Sequence, residues 1–284
     1  MVARPRRVEV PVAAGILDAE GAGPARGPLV VLLHGFPQTT ASWDGVLPRL
    51  AGAGFRVLAP SQRGYSPRAR PSAAREYGIQ ALSYDVLAVA DSAGADRFSV
   101  VGHDWGGALA WWLGAKAPER IVTVTSLATP HPGAMARVAW RSTQVLRSSY
   151  IPFFRLPGVP ERVLLAGGGG VLDRALRRSG LDAPQAAAYV DAMREPGALT
   201  AALDWYRAAS PRTLGRLGRV VRPTLYVWGN RDSALGRAAA EATASYVTGP
   251  YRFIELDASH WLPEAEPERV AALVQEHLQA HDAA

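Results

Sequence analysis

The sequence of 284 residues contains no cysteine, which excludes disulfide bonds, zinc–thiolate sites and thiol nucleophiles. It also lacks any apolar run near the ~20 residues that a membrane-spanning helix needs, and we expect no membrane partner. The start of the chain is a poor match to a signal peptide, because Glu9 and Asp18 interrupt its apolar part. Since the missing cysteine also suits a reducing compartment, we expect a cytoplasmic protein.

Lysine is nearly absent as well: Lys116 is the only one, so the net charge of +6 comes from arginine. A basic chain can indicate nucleic-acid binding. The arginines are spread along the sequence, however, and their one enrichment, between Arg137 and Arg178, carries no basic–aromatic motif. We interpret this enrichment as a solvated basic face and expect no nucleic-acid partner.

Short apolar runs and helical stretches alternate along most of the chain. Continuous apolar runs of this length are typical of strands buried on both faces of a parallel sheet. They are GPLVVLLHG, FRVLAPSQRG, DRFSVVGHD, RIVTVTSLATP, RPTLYVWGNRD and YRFIELDASHW. The alternation predicts a mostly parallel, doubly wound α/β sheet. The opening RRVEVPVAAGILDAE alternates polar and apolar residues and predicts an antiparallel edge hairpin.

The alternation breaks between about His131 and Gly215, where the pattern is mainly helical. We interpret this stretch as a helical cap that is inserted between two strands and lies over the strand ends. The predicted domains are therefore a core of residues 1–130 and 216–284 and a cap of residues 131–215.

Residues at the carboxyl ends of the predicted strands are the candidates for a site, because open parallel sheets bind ligands there. Asp104, Asp232 and His260 each follow a different strand. Their order matches the nucleophile, acid and histidine order of the α/β-hydrolase fold, with an aspartate as the nucleophile. Asp257 is closer to His260 in sequence, but Asp232 occupies the strand end where this fold has its acid.

The stretch VVGHDWGG (Val100–Gly107) predicts a sharp turn from strand to helix with Asp104 at its centre. Such a turn strains the central backbone and holds its side chain clear of the sheet. Glycine is needed at 102, 106 and 107, because strand and helix backbones nearly touch there. The alternative is an ordinary loop in which Asp104 caps the following helix.

The stretch HGFP (His34–Pro37) follows the first buried strand and has a backbone role in our interpretation. The N–H groups of Phe36 and Trp105 are the candidate oxyanion hole. We interpret the His34 ring as a structural brace. We also predict a cis peptide between Phe36 and Pro37, which turns the Phe36 N–H inward.

With these motifs the sequence resembles the epoxide hydrolases of the α/β-hydrolase superfamily. HGFP followed by SW at Ser42–Trp43, then GHDWGG and SHW, are similar to that family's signatures over about 28–130 and 222–268. Two cap segments extend the resemblance. LDWYRA is similar to the motif with one ring-opening tyrosine, which falls on Tyr206, and SSYIPFFRLPGVPE to the segment with the other, which falls on Tyr150.

The resemblance implies that the protein hydrolyses a small apolar epoxide with water to give a vicinal diol, without a cofactor or metal ion. Asp104 would attack an epoxide carbon and form an alkyl ester, while Tyr150 and Tyr206 donate hydrogen bonds to the epoxide oxygen. His260, oriented by Asp232, would then activate the water that hydrolyses the ester. The candidate pocket walls are Phe36, Trp105, Trp140, Phe153 and Phe154.

Two other functions stay open at this point. A haloalkane dehalogenase also uses an aspartate followed by tryptophan, here Trp105, but it needs a second halide donor. Phe36 stands where that donor is often found, which leaves Trp140 as a candidate. A hydrolase-fold binding protein without turnover is the other alternative. The particular epoxide and the choice between monomer and homodimer are also open.

Overall fold

A computed structural model describes residues 5–139 and 149–281. In this part of the chain, eight strands form one sheet in the order β1-β2-β4-β3-β5-β6-β7-β8. The strands are β1 (Arg6–Val12), β2 (Gly15–Ala22), β3 (Leu29–Leu33), β4 (Arg56–Pro60), β5 (Phe98–His103), β6 (Ile121–Leu127), β7 (Thr224–Gly229) and β8 (Tyr251–Leu256).

Helices follow most of these strands and fill the long interval between β6 and β7. They are α1 (Leu47–Gly52), α2 (Ile79–Ser92), α3 (Trp105–Lys116), α4 (Pro132–Val138), α5 (Tyr150–Phe154), α6 (Val159–Leu164), α7 (Ala166–Arg178), α8 (Ala183–Arg194), α9 (Ala198–Ala208), α10 (Pro211–Gly215), α11 (Arg237–Ala242), α12 (Leu262–Ala265) and α13 (Pro267–His281). Short 3-10 helices span Thr40–Trp43, Pro67–Ala69, Ala74–Tyr77 and Thr243–Tyr246.

The predicted fold class is confirmed. Strands β3 to β8 pair in parallel, as their apolar runs predict. The opening hairpin is also confirmed: β1 pairs with β2, and β2 pairs with β4, both in antiparallel register.

The central strands β3, β5 and β7 are buried on both faces of the sheet, which explains why they are apolar throughout rather than alternating. In β3, Val31 and Leu33 belong to the apolar cluster on one face, while Val30 and Leu32 belong to the cluster on the other. All four side chains are fully buried.

Helices α4 to α10 lie between β6 and β7 in sequence and fall in the interval predicted to be a cap. The boundaries of that cap, at residues 131 and 215, stay a prediction. Several side chains from this interval bond to the core, among them two that are buried. The Trp205 indole N–H of α9 donates to the carbonyl of Arg63 at 3.0 Å, and the Tyr189 hydroxyl of α8 donates to Glu264 at 2.7 Å. Over the described ranges, we find no helix with the length and apolarity to cross a bilayer.

Gly102 and Gly106 of the β5–α3 turn are required by close backbone contacts, as predicted, whereas Gly107 faces side chains. A Cβ on Gly102 would lie 2.0 Å from the carbonyl oxygen of Gly106, and one on Gly106 would lie 2.0 Å from that of Leu33. A Cβ on Gly107 would lie 2.7 Å from the Ser126 hydroxyl. These contacts leave no space for a methyl group where α3 crosses β3 and β5.

We therefore expect Gly106→Ala to lower the free energy of unfolding by at least about 3 kcal/mol, the upper end of overpacking costs. Gly52→Ala is the matched control, because the added Cβ would meet nothing within 4 Å at the exposed end of α1. That control should be neutral or stabilising by up to ~1 kcal/mol. Chemical denaturation measures both, and equal stability of the two variants would contradict the packing argument.

Candidate active site

Asp104 occupies the turn between β5 and α3 with φ 52° and ψ −117°, a backbone region that side chains other than glycine rarely adopt. Its side chain makes no capping hydrogen bond to α3, so the alternative of a helix-capping aspartate is wrong. Gly35 faces the carboxylate closely, since a Cβ there would lie 2.4 Å from Asp104 Oδ1. The fold thus holds this carboxylate at the carboxyl edge of the sheet.

The loop after β3 presents a backbone donor to that carboxylate. The N–H of Phe36 donates to Asp104 Oδ1 at 2.8 Å, and the Phe36–Pro37 peptide is cis, as predicted. The N–H of Trp105 belongs to the first turn of α3, whose N–H groups have no partner within the helix. The His34 ring braces the loop, as expected: its Nε2 accepts from the N–H of Gln62 at 3.2 Å.

His260 lies between two carboxylates. Its Nδ1 is 2.7 Å from Asp232 Oδ2, and its Nε2 is 3.6 Å from Asp104 Oδ2. The other oxygen of Asp232 accepts from the N–H groups of Ala234 at 2.7 Å and Leu235 at 2.9 Å. The Asp232 carboxylate is therefore fixed from both sides, which orients the imidazole toward Asp104.

Asp257, the other acid considered for this role, does not reach the histidine. It lies at the surface, where its carboxylate is 3.5 Å from the Arg231 guanidinium and both side chains are largely exposed. The structure thus brings together Asp104, Asp232 and His260 as the sequence predicts, and it leaves Asp257 outside.

The two carboxylates control the charge of the histidine. Burial acts to lower the pKa of His260, but Asp232 and Asp104 outweigh burial and raise that pKa to about 10. Burial acts to raise the pKa of Asp104, but His260 and the Phe36 N–H hold it below its ordinary value. The resting site at neutral pH therefore holds an imidazolium between two carboxylates.

Tyr150 and Tyr206 come from two different helices, α5 and α9, and meet above Asp104. Their ring centroids are 6.2 Å apart, and both side chains line the cavities that reach Asp104. Burial raises the pKa of each phenol above its ordinary value, and the nearby negative charge of Asp104 raises it further. Both hydroxyls are therefore protonated and available as hydrogen-bond donors at neutral pH.

Two cavities meet at this trio of Asp104, Tyr150 and Tyr206. One of about 280 Å³ extends along α4 and α10, and its walls are almost entirely apolar. It is lined by Trp105, Ala108, Met135, Ala136, Ile151 and Leu214, among others. The second, of about 340 Å³, extends past His260 toward α6 and α7. It is lined by Phe36, Phe154, Leu164, Leu172, Leu176 and Trp261, among others.

Three of the five residues predicted as pocket walls line a cavity. Trp105 lines the first cavity, and Phe36 and Phe154 line the second. Phe153 lines neither: it packs behind Phe154, with ring centroids 5.9 Å apart, because the short helix α5 turns it away from the cavity. Trp140 lies outside the described residues.

A buried polar network behind the site escaped the sequence analysis. Gln38 Oε1 accepts from the N–H of Gly35 at 2.7 Å, while its Nε2 donates to Glu264 at 2.6 Å. The ring nitrogens of His103 lie 2.8 Å from Gln38 Oε1 and 2.8 Å from the carbonyl oxygen of His260. This network links the loop of Gly35 and Phe36 to the loop of His260. Burial raises the pKa of Glu264 above its ordinary value.

Comparison with known proteins agrees with this geometry. A family model described as α/β hydrolase fold matches residues 28–267, and the chain belongs to that family. A Bacillus subtilis (strain 168) protein named AB hydrolase superfamily protein YfhM is 36% identical over 268 residues, which are 92% of this chain and 94% of the relative.

Relatives with a more specific name also match over nearly the whole chain. Epoxide hydrolase A of Mycobacterium tuberculosis is 32% identical, with 90% of this chain and 92% of the relative covered. The crystal structure of Epoxide Hydrolase A from Mycobacterium thermoresistibile has a TM-score of 0.84 at 27% identity and covers 97% of this chain and 98% of its own. The resemblance to epoxide hydrolases that the motifs indicate is thus confirmed, as is the prediction of an enzyme.

The raised pKa of His260 makes stability depend on pH. A histidine that titrates near 6.5 in the unfolded chain and at about 10 in the folded one stabilises the fold fully below pH ~6.5 and loses that contribution as the pH rises toward 10. We expect His260→Gln to remove this dependence. The difference in unfolding free energy between wild type and variant should therefore shrink from pH 6.5 to pH 10, measured by denaturant titration. Parallel curves would show that the histidine is neutral at rest.

Proposed function

We propose that the protein hydrolyses an epoxide to the vicinal diol through a covalent alkyl ester on Asp104. The observation that carries this proposal is the meeting of a core carboxylate and two cap phenols, Tyr150 and Tyr206, around the same cavities. A carboxylate is suited to displacement at saturated carbon, and the strongly basic alkoxide that forms when an epoxide opens needs an acid beside it. The names of the relatives agree with this reaction.

In the first step, one oxygen of Asp104 attacks an epoxide carbon. Oδ1 accepts a hydrogen bond from the Phe36 N–H at 2.8 Å, whereas Oδ2 faces His260 Nε2 at 3.6 Å. We therefore assign the attack to Oδ2. The bond from Oδ2 to carbon forms as the ring C–O bond breaks. Tyr150 and Tyr206 donate hydrogen bonds to the departing oxygen, and one of them supplies its proton.

Formation of the ester changes the charge of the site and with it the role of His260. Ester formation removes the negative charge of Asp104, one of the two charges that raise the pKa of the histidine. The imidazolium can then give its proton to the tyrosine that protonated the product oxygen. His260 becomes a neutral base only once the ester exists, when a base is needed.

In the second step, His260 takes a proton from water, and the water oxygen attacks Cγ of Asp104. The negative charge that develops on Oδ1 is stabilised by the N–H groups of Phe36 and Trp105. Collapse breaks the bond between Cγ and the ester oxygen, which leaves with the proton held by His260. The second proton of the water returns to His260, and the carboxylate and imidazolium are restored.

A haloalkane dehalogenase is supported less well by the same residues. The Trp105 indole could hold one halide, but it packs edge-on against Tyr206 with ring centroids 5.1 Å apart. Phe36 has no side-chain donor for the second contact, and Trp140 lies outside the described residues. A binding protein without turnover would not need a histidine held between two carboxylates.

The cavities indicate the kind of epoxide. Both open from the catalytic trio and are mainly apolar, so substituents on the two ring carbons can occupy different cavities. We therefore assign an apolar epoxide and water as the substrates. The predicted cap of residues 131–215 would contribute the two phenols and much of both cavity walls.

The covalent step can be tested with isotopic water. In a single turnover with excess enzyme in heavy-oxygen water, the diol should carry ordinary oxygen from Asp104, and the heavy oxygen should enter the carboxylate. His260→Gln should accumulate an ester with a mass increase equal to the substrate, because the missing base acts on water. Asp104→Ala is the control without an adduct. Solvent oxygen in the first diol together with no adduct in the histidine variant would mean direct attack by water.

The phenols are tested by removing their hydroxyls. Tyr150→Phe and Tyr206→Phe should each slow ester formation about 100-fold, and the double variant should lose epoxide opening, because general acids contribute ~10²–10⁴-fold. Stopped-flow single-turnover rates give the measurement. Tyr77→Phe is the control: this buried phenol donates to the carbonyl of Pro71 and lines neither cavity. Full activity in the double variant would exclude the phenols as the acid.

A further inference from the structure

The outer surface of α6, α7 and the segment before them, residues 152–178, exposes apolar side chains. Four of the six large apolar side chains that are exposed in the described residues lie here. They are Leu156, Val159, Val163 and Val171, with 47%, 45%, 42% and 38% of their surface accessible. We call the exposed residues of 152–178 the outer cap surface. Their concentration in one segment, rather than singly over the surface, makes this surface a candidate interaction site.

The charged residues on the outer cap surface are all arginines. Arg155, Arg162, Arg174, Arg177 and Arg178 are exposed, although Arg155 also lines the first cavity, whereas no acid among residues 152–178 is exposed. The two acids of the range are only partly exposed and each lies near an arginine: Glu161 2.9 Å from Arg207, and Asp173 3.8 Å from Arg177. No described residue forms an ion pair with Arg162, Arg174 or Arg178. The patch therefore combines aliphatic side chains with a net positive charge.

Both helices turn their other face toward the catalytic cavity. Leu164 of α6 and Leu172 and Leu176 of α7 line the cavity that contains His260. The outward residues of both helices must then lie on the side away from that cavity. On α7 these are Val171, Arg174 and Arg178, which follow one another at helical spacing.

Ala175 connects the two faces. It is exposed, and it also lines the cavity that reaches Asp104 and His260. The cavity therefore opens at α7, beside the exposed valine and arginines. A molecule held at this surface would therefore lie beside the catalytic cavity.

We propose that the outer cap surface binds the surface of an anionic lipid bilayer. Aliphatic side chains between arginines are the composition of segments that lie in the membrane interface, where apolar groups enter the acyl region and arginines contact lipid phosphates. This binding needs no spanning helix. The expectation of no membrane partner rested on the absence of a long apolar run, which excludes a spanning helix but not binding at the bilayer surface. Bilayer binding does not depend on the proposed reaction.

A second copy of this chain is a poorer occupant. A symmetric dimer brings the same patch of both subunits together, so the arginines of one outer cap surface would face those of the other. The exposed large apolar residues of this surface are aliphatic, whereas protein–protein hot spots are enriched in aromatic residues. Anionic lipid supplies the opposite charge and an apolar phase at once.

Sedimentation with vesicles tests the proposal on the full chain. The wild type should bind vesicles of phosphatidylcholine mixed with phosphatidylglycerol, and should bind phosphatidylcholine alone much more weakly. Added salt should weaken the binding, because it screens the arginines. Arg174→Gln with Arg178→Gln should lower the partition coefficient about 25-fold, or fivefold for each arginine, the equivalent of about 1 kcal/mol per charge.

Two matched controls separate this surface from general charge and apolarity. Arg26→Gln with Arg75→Gln removes the same charge at exposed positions elsewhere and should change binding less than twofold. Leu156→Glu with Val163→Glu should abolish binding, whereas Val221→Glu, at a side chain 55% exposed outside this surface, should not. None of these residues lines the catalytic cavities, so hydrolysis of a water-soluble epoxide should be unchanged in every variant.

Three outcomes would overturn the proposal. The first is equal binding of the wild type to neutral and anionic vesicles. The second is that the control variants lose binding as much as the variants of the outer cap surface do. The third is a wild type that binds no vesicles and is a dimer, which Leu156→Glu with Val163→Glu converts to a monomer. The last would assign the surface to self-association, as measured by analytical ultracentrifugation. Vesicle binding is measured without turnover, so a chain inactive on epoxides would still give a clear answer.

Discussion

The site depends on a place where three backbone segments approach each other too closely for a single methyl group. Gly35 after β3, Gly102 in β5 and Gly106 in α3 all pack there against carbonyl oxygens or the Asp104 side chain. This contact forces Asp104 into a positive φ and directs its carboxylate to the Phe36 N–H. The proposed nucleophile, Asp104, and the proposed oxyanion donor, the Phe36 N–H, are thus positioned by the same packing constraint.

Charge at the site is organised around this fixed carboxylate. Asp232 orients His260 from behind, and Asp104 faces it from the front, so the histidine is most basic while both anions are present. Because the proposed ester neutralises Asp104, the pKa of His260 falls between the two half-reactions. The same histidine is therefore charged in the first and can act as a base in the second. The phenols need no such change, since burial keeps both of them protonated in the resting site and ready to act as acids.

The sequence predicts the strands and the residues at their carboxyl ends well, because both leave local signals. An apolar run, a glycine-rich turn and the chain order of Asp104, Asp232 and His260 are all visible without a structure. The bond of Gln38 to Glu264 joins residues 226 positions apart and leaves no local pattern. The rotation of the short helix α5, which separates Phe154 in the cavity from Phe153 behind it, depends on packing alone.

The bonds that hold α8 and α9 to the core affect how substrate enters the cavities and how product leaves them. Trp205 and Tyr189 use buried donors to bond Arg63 and Glu264, and lifting these helices would leave the donors without partners, which costs ~1–3 kcal/mol for each. Exchange through the cavity mouths avoids that cost. Substrate and product can then enter and leave while α8 and α9 stay bonded to the core, so the cap need not lift as a whole in each catalytic cycle.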